Sequence, residues 1–210
     1  MEKRDTKKVI LDEALELFST SGYDGVTVAD IAEAVGIKSA SLYKHYASKQ
    51  DIFDSILTKA ADDFQAMTGQ LGIDGIVAPN DVQLYSGMGT DAMIQVGTAF
   101  FQYFLHDGTA RKLRRLLTIE QYKNPAASEL FTDQYIDAPI KYQSVLFKAF
   151  MAQGLMEESD ADVAAAHFFS PMYFMLCLCD NCPDREPEAL DFIRCHIIQF
   201  NKLYMLGERK

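Results

Sequence analysis

Apolar positions recur along this chain at the three-and-four spacing of amphipathic helices. Between about residues 4 and 21, Ile10, Ala14, Leu17 and Phe18 form one stripe, widened by Leu11 and Leu15. Asp12, Glu13 and Glu16 take the opposite face, and Gly22 stops the run. A second, shorter set (Val28, Ile31, Ala32, Val35) follows Thr27, a natural N-cap, and ends at Gly36, where a residue without Cβ accepts a left-handed stop. Ile37 plugs the turn, and Ser39 is placed to cap a third helix carrying Leu42 inward. Two helices this short need a third to stand on, and the upstream stripe supplies it.

The rest also reads as helix. Residues 49 to about 68 carry Ile52, Phe53, Ile56, Leu57, Ala60 and Phe64 at helical spacing. Residues 91–106 are nearly all apolar, 109 to about 123 mix leucines with Arg111, Lys112, Arg114 and Arg115, and 125–153 form a long stretch interrupted at Pro139. Asp160 caps a helix to about Cys179 with Pro171 inside it, and Pro187 opens the last, to about Leu206. Only residues 69–89, with five glycines and Pro79-Asn80-Asp81, read as irregular, either an insertion or a lid. The fold class expected is all-α with about nine helices. The first 48 residues are expected to form a three-helix helix-turn-helix domain, and residues 49–210 a larger helical domain.

Composition narrows this picture. Of 210 residues, 49% are hydrophobic and 24% charged, a globular balance. The charged start is no signal peptide, and the most apolar stretch, residues 168–178, is short for a bilayer and holds Pro171, so a cytoplasmic location without membrane contact is expected. The net charge of −10 argues against DNA until it is divided. Residues 1–59 carry eight Lys or Arg against ten Asp or Glu, and residues 60–210 carry twelve against twenty. Residues 38–49 hold three lysines and no acid, and Lys3, Arg4, Lys7 and Lys8 make a second basic cluster. A small basic face suffices, because screening confines such fields to about 10 Å at moderate salt.

Val26 to Lys49 therefore reads as a helix-turn-helix whose second helix enters a major groove. Ser39, Ala40 and Ser41 would meet base edges, with Lys44 suited to guanine N7 and O6. The run from Gly22 to Val28, then Ile31-Ala32, Gly36-Ile37, Ser41 to Tyr46 and Ser48-Lys49, resembles the TetR family of bacterial one-component transcriptional regulators. Tyr46 stands where that family usually has Phe. The resemblance implies phosphate contacts at Thr27, Tyr43, His45 and Lys49, operator DNA and a small-molecule effector as partners, and a homodimer built on the last two helices. For the dimer the stripe Ile193, Ile197, Phe200 and Tyr204 is the candidate surface.

Aromatic and polar residues on the apolar helices suggest an effector pocket: Phe100, Tyr103, Phe104, His106, Tyr135, Gln143, Phe168 and Met172. The plain alternative is that they fill a helical core. Cys177, Cys179, Cys182 and Cys195 raise thiol or metal sensing, although Cys177 and Cys179 would project about 200° apart on one helix. No enzyme signature and no cofactor motif is present. The reading from another class is a helical protein-interaction module with a vestigial helix-turn-helix.

Overall fold

Asp5 starts the first helix, its carboxylate accepting the backbone N–H groups of Lys7 and Lys8 at 3.1 and 3.2 Å. The computed structural model describes residues 5–208, so Lys3 and Arg4 of the expected basic cluster lie outside the described residues. Among these there are eleven α-helices and no strand, only an isolated antiparallel bridge between Met156 and Met205.

The chain forms two compact units, and they do not divide it at residue 48. The first comprises Met1–Phe64 and Asp107–Phe131. It holds α1 (Thr6–Ser21), α2 (Val28–Val35), α3 (Ser39–Leu42), most of α4 (Lys49–Gln70), α7 (Gly108–Glu120) and nearly all of α8 (Pro125–Thr132). Its core joins Ile10, Ala14 and Phe18 of α1 to Ile31 and Val35 of α2, to Leu42 and Tyr46, and to Ile52 and Ile56 of α4. Leu116 of α7 sits in that same core, and Lys112 bridges to Glu16 of α1 at 2.7 Å. The carboxylate of Glu120, at the end of α7, lies against Gly22, which has φ +77°. A helix some sixty residues downstream of α3 thus completes the first core, which the linear reading did not foresee.

The second unit comprises Gln65–His106 and Thr132–Lys210. It contains α5 (Ala78–Ser86), α6 (Thr90–His106), α9 (Ala138–Ala152), α10 (Ala161–Asn181) and α11 (Glu186–Tyr204). The glycine-rich segment is ordered rather than loose. Asp74 Oδ1 accepts from the N–H groups of Ile76 and Val77, at 3.1 and 2.7 Å, and closes the turn that leads into α5. Asp81, 3% exposed, accepts from the N–H groups of Asp74 and Gly75 and from the Tyr142 hydroxyl on α9. Burial pushes the Tyr142 phenol far above its ordinary range, and the hydrogen bond to Asp81 adds to the effect.

Both interior prolines leave marks. Pro139 has no N–H for the carbonyl four residues back. The chain widens there into a π-turn, Asp133–Asp137, in which Ala138 N–H reaches Asp133 O. In α10, Pro171 leaves a similar gap, and the His196 ring of α11 donates through Nε2 to the neighbouring Phe168 carbonyl at 2.9 Å. At 21 residues, with a mean hydropathy of 1.3 in its most apolar window, α10 is long and apolar enough to cross a membrane. Within this unit it packs against α6, α9 and α11.

Candidate nucleic-acid interface

Thr27 opens α2 in extended backbone, φ −100° and ψ 163°, and closes a capping box. Its Oγ1 accepts from Asp30 N–H at 3.2 Å, while Asp30 Oδ2 accepts from the Thr27 N–H and hydroxyl at 2.7 and 2.8 Å. Those donors, the backbone N–H first, hold the Asp30 carboxyl below its ordinary range. At the other end Gly36 takes φ 77° and ψ 34°, and Ile37 N–H returns to Ala32 O at 2.9 Å. Open space surrounds the position a Cβ would take at Gly36, so backbone conformation alone selects glycine there.

Ser39 does not cap α3. Lys38 holds the cap position without a side-chain bond, and its carbonyl receives the N–H groups of Ser41 and Leu42. The helix is one turn long, extended by a bond from Tyr46 N–H to Leu42 O at 3.2 Å. Leu42 and Tyr46 are both buried, and the Tyr46 hydroxyl donates to Lys7 O of α1 at 3.2 Å. The hydroxyl that departs from the family pattern therefore ties this helix to α1. With those two anchors inward, Ala40, Tyr43, Lys44 and His45 face outward, and Tyr43 is 55% exposed. Ser39 and Ser41 are half-buried on the same turn.

Two residues expected at phosphates are committed to the protein itself. The Thr27 hydroxyl donates and accepts within its capping box, so its role is to shape α2. Lys49 turns inward: Nζ donates to Tyr23 O at 2.9 Å and Val26 O at 3.0 Å, over the Tyr23 ring at 4.2 Å. In this geometry Lys49 Nζ spends its bonds on the α1–α2 turn and not on the outward face. The cations left exposed on this face are Lys38 and Lys44.

The expected effector lining divides. Tyr103 and Phe104 of α6 stand edge to face at 5.3 Å, Phe104 reaches Tyr135 of the π-turn at 6.4 Å, and Tyr135 reaches Tyr173 of α10 at 6.5 Å. Tyr173, which the sequence reading did not single out, stacks on Phe169. Phe100 and Gln143 are half-buried. Phe168 is shared, packed on Phe147 and Phe200 at 5.9 and 4.9 Å and also against the core cluster that Phe104, Met172 and Tyr173 cover. Met172 lies beside Gly97, and the exposed His106 pairs with Glu186 at 2.8 Å. Phe168 thus joins two core clusters, and His106 forms an exposed pair at a helix end.

The dimer stripe is also corrected. Ile193, Ile197 and Phe200 lie in the core of their own chain, at 0, 0 and 4% exposure. Tyr204 packs on Phe200 at 4.6 Å and meets His167 Nδ1 at 2.9 Å. The apolar side chains that these helices leave outward are Val163 and Phe174 on α10 and Phe192 and Leu203 on α11. Val163, His167, Ser170 and Phe174 are all exposed at i, i+4, i+7 and i+11, one continuous face. Among the cysteines only Cys195 is exposed, Cys179 is buried, and all four are free thiols. Among the described residues no three His, Cys, Asp or Glu side chains gather as a metal-ligand set.

Comparison with known proteins agrees with this geometry. Residues 10–56 match the model of the bacterial regulatory proteins of the tetR family. Residues 91–191 match the C-terminal domain of AefR-like transcriptional repressors, and together the two cover well over half the chain. The negative transcriptional regulator of the biofilm operon icaADBC, IcaR, from Staphylococcus aureus strain Newman is 54% identical over 48 residues, 23% of this chain. That match spans 26% of IcaR's own length. A TetR transcriptional regulator from Chloroflexus aurantiacus shares the fold at TM-score 0.67 and 19% identity, covering 96% of each chain. SmeT, the repressor of the Stenotrophomonas maltophilia multidrug efflux pump SmeDEF, does so at TM-score 0.61 and 17% identity, over 96% of this chain and 91% of that one.

Proposed function

Because the chain belongs to the TetR family, we propose that it is a cytoplasmic, homodimeric transcriptional repressor that a small apolar or aromatic molecule releases from operator DNA. The observation that carries DNA binding is the outward turn Tyr43-Lys44-His45, held on a rigid base by buried Leu42 and Tyr46. Lys44 is the base-reading candidate, Ser39, Ala40 and Ser41 make close contacts with base edges, and Tyr43 and His45 set register on phosphates. Repression rather than activation is supported by the relatives: IcaR is a negative regulator and SmeT a repressor.

For the effector, Tyr103, Phe104, Tyr135 and Tyr173 offer a wall suited to a flat apolar molecule. SmeT, of the same fold, is known in complex with triclosan. The dimer forms through the outward face of α10 and α11 around Phe174 and Phe192, and a two-fold contact makes that face self-complementary. Effector then favours a dimer whose recognition helices are no longer spaced for major grooves about 34 Å apart.

The test is an electrophoretic shift of the DNA upstream of the protein's own coding sequence, repeated with triclosan as an aromatic probe. A shift that triclosan reverses supports both halves of the reading. A shift without reversal leaves a DNA-binding regulator with another effector. No shift at any salt leaves the protein-interaction module.

A further inference from the structure

The α1–α2 turn, residues 22–27, carries the N-terminus of the helix-turn-helix, and the first turn of α4 grips it at several points. Lys49 Nζ donates to the carbonyls of Tyr23 and Val26, 2.9 and 3.0 Å away, over the Tyr23 ring. Next to it, Gln50 Oε1 accepts from the Tyr23 hydroxyl at 3.0 Å. One turn on, the Phe53 ring meets Tyr23 at 5.3 Å, and both pack on Phe18 of α1. The Val26 carbonyl belongs to the peptide bond that enters Thr27, so the ammonium holds the plane from which the capping box begins. Charge-assisted bonds to two carbonyls and a cation–π contact make this a directional tie, not a solvated charge.

We propose that Lys49 is a positioning residue for DNA binding, fixing the start of α2 to the start of α4 so that α3 is presented in register, and that it makes no phosphate contact. This rests on the DNA-binding reading above. It assigns Lys49 a part in affinity with no part in counterion release.

The experiment measures binding of the upstream duplex against salt for wild type, Lys49→Met, Lys49→Gln, Tyr23→Leu and the Lys49→Met/Tyr23→Leu double variant. Lys49→Met is expected to lose roughly tenfold in affinity, the scale of one charge-assisted hydrogen bond. The slope of log Kobs on log salt should stay as in wild type, Lys49→Gln should recover part of the loss through its neutral donor, and the double variant should be no weaker than the worse single one. A slope lowered by about 0.9 marks a lost phosphate contact and overturns the proposal. Unchanged affinity, or additive losses in the double variant, overturns it too. Amide exchange gives a reading that does not depend on DNA. Faster exchange at Val26 and Thr27 in Lys49→Met, with Ile31 to Val35 still protected, upholds the tie even if wild type binds no DNA and the functional reading fails. Unchanged exchange there overturns the tie.

Discussion

Replacing Gly97 with Ala puts two familiar effects in opposition. Gly97 is buried in α6, and in a bare helix the change to Ala would add about 1 kcal/mol of stability. Here the new Cβ would stand 2.7 Å from Ile197 Cδ1 and 3.4 Å from Met172 Cε. Methionine is flexible and can give the few tenths of an ångström it owes. Ile197 cannot, because it is fully buried and its terminal methyl would need to move by nearly an ångström. Overpacking of this kind costs about 1–3 kcal/mol, so the net expectation is a loss of about 1 kcal/mol. That is roughly 2–4 °C in melting temperature for a chain of this size. Ile197→Val deletes the offending methyl and by itself costs about 0.5–1.5 kcal/mol. In the double variant the methyl introduced by Gly97→Ala fills the space vacated, and stability should return to within about 0.5 kcal/mol of wild type. Urea unfolding followed by circular dichroism at one fixed protein concentration measures all four corners of the cycle. If Gly97→Ala stabilises by about 1 kcal/mol with no coupling to Ile197→Val, Ile197 does not pack against α6. The case for removing it from the dimer surface would fall with that result.

Three further outcomes are expected. Gly22→Ala should destabilise the first unit by about 1–3 kcal/mol, because φ +77° is glycine's territory and Glu120 fills the space; Glu120→Ala should relieve only part of that, and urea midpoints would show full relief if strain at φ were absent. Phe174→Asp should turn the proposed dimer into a monomer in sedimentation at micromolar concentration, and a variant that stays dimeric would place the interface elsewhere. Burial pushes the Tyr46 phenol up to about 12 from 10.0, so the fold favours its neutral form. The stability this gives is complete below pH 10 and is lost as pH rises towards 12. Tyr46→Phe should therefore show a shallower fall in urea midpoint across that window, and equal falls would refute the assignment.

Local features are legible in the sequence because local chemistry decides them. Thr27 caps, Gly36 stops, and the Val28–Val35 spacing buries one face whatever lies beyond it. The family pattern nonetheless points Thr27 at a phosphate, since spacing says nothing of a hydroxyl spent on Asp30. The inward partners of Lys49 are hidden for a related reason: Tyr23 and Val26 meet it only once α4 folds back on the α1–α2 turn. The Ile193–Phe200 stripe shows that apolar periodicity marks a buried face without saying whose surface buries it. The glycine-rich segment looks loose in sequence because its order depends on Asp81 finding Tyr142, 61 residues away. Leu116 joins the first core from a helix that no motif connects with the helix-turn-helix.

The most direct test of the central claim is a footprint of the purified protein on its own upstream DNA, in wild type and in Lys44→Ala. The account predicts two protected half-sites one helical turn apart, or a whole number of turns, reflecting a two-fold dimer. Lys44→Ala should weaken protection by about 1–3 kcal/mol and relax preference at one base pair in each half-site. Absence of protection, or protection that Lys44→Ala leaves unchanged, would contradict it.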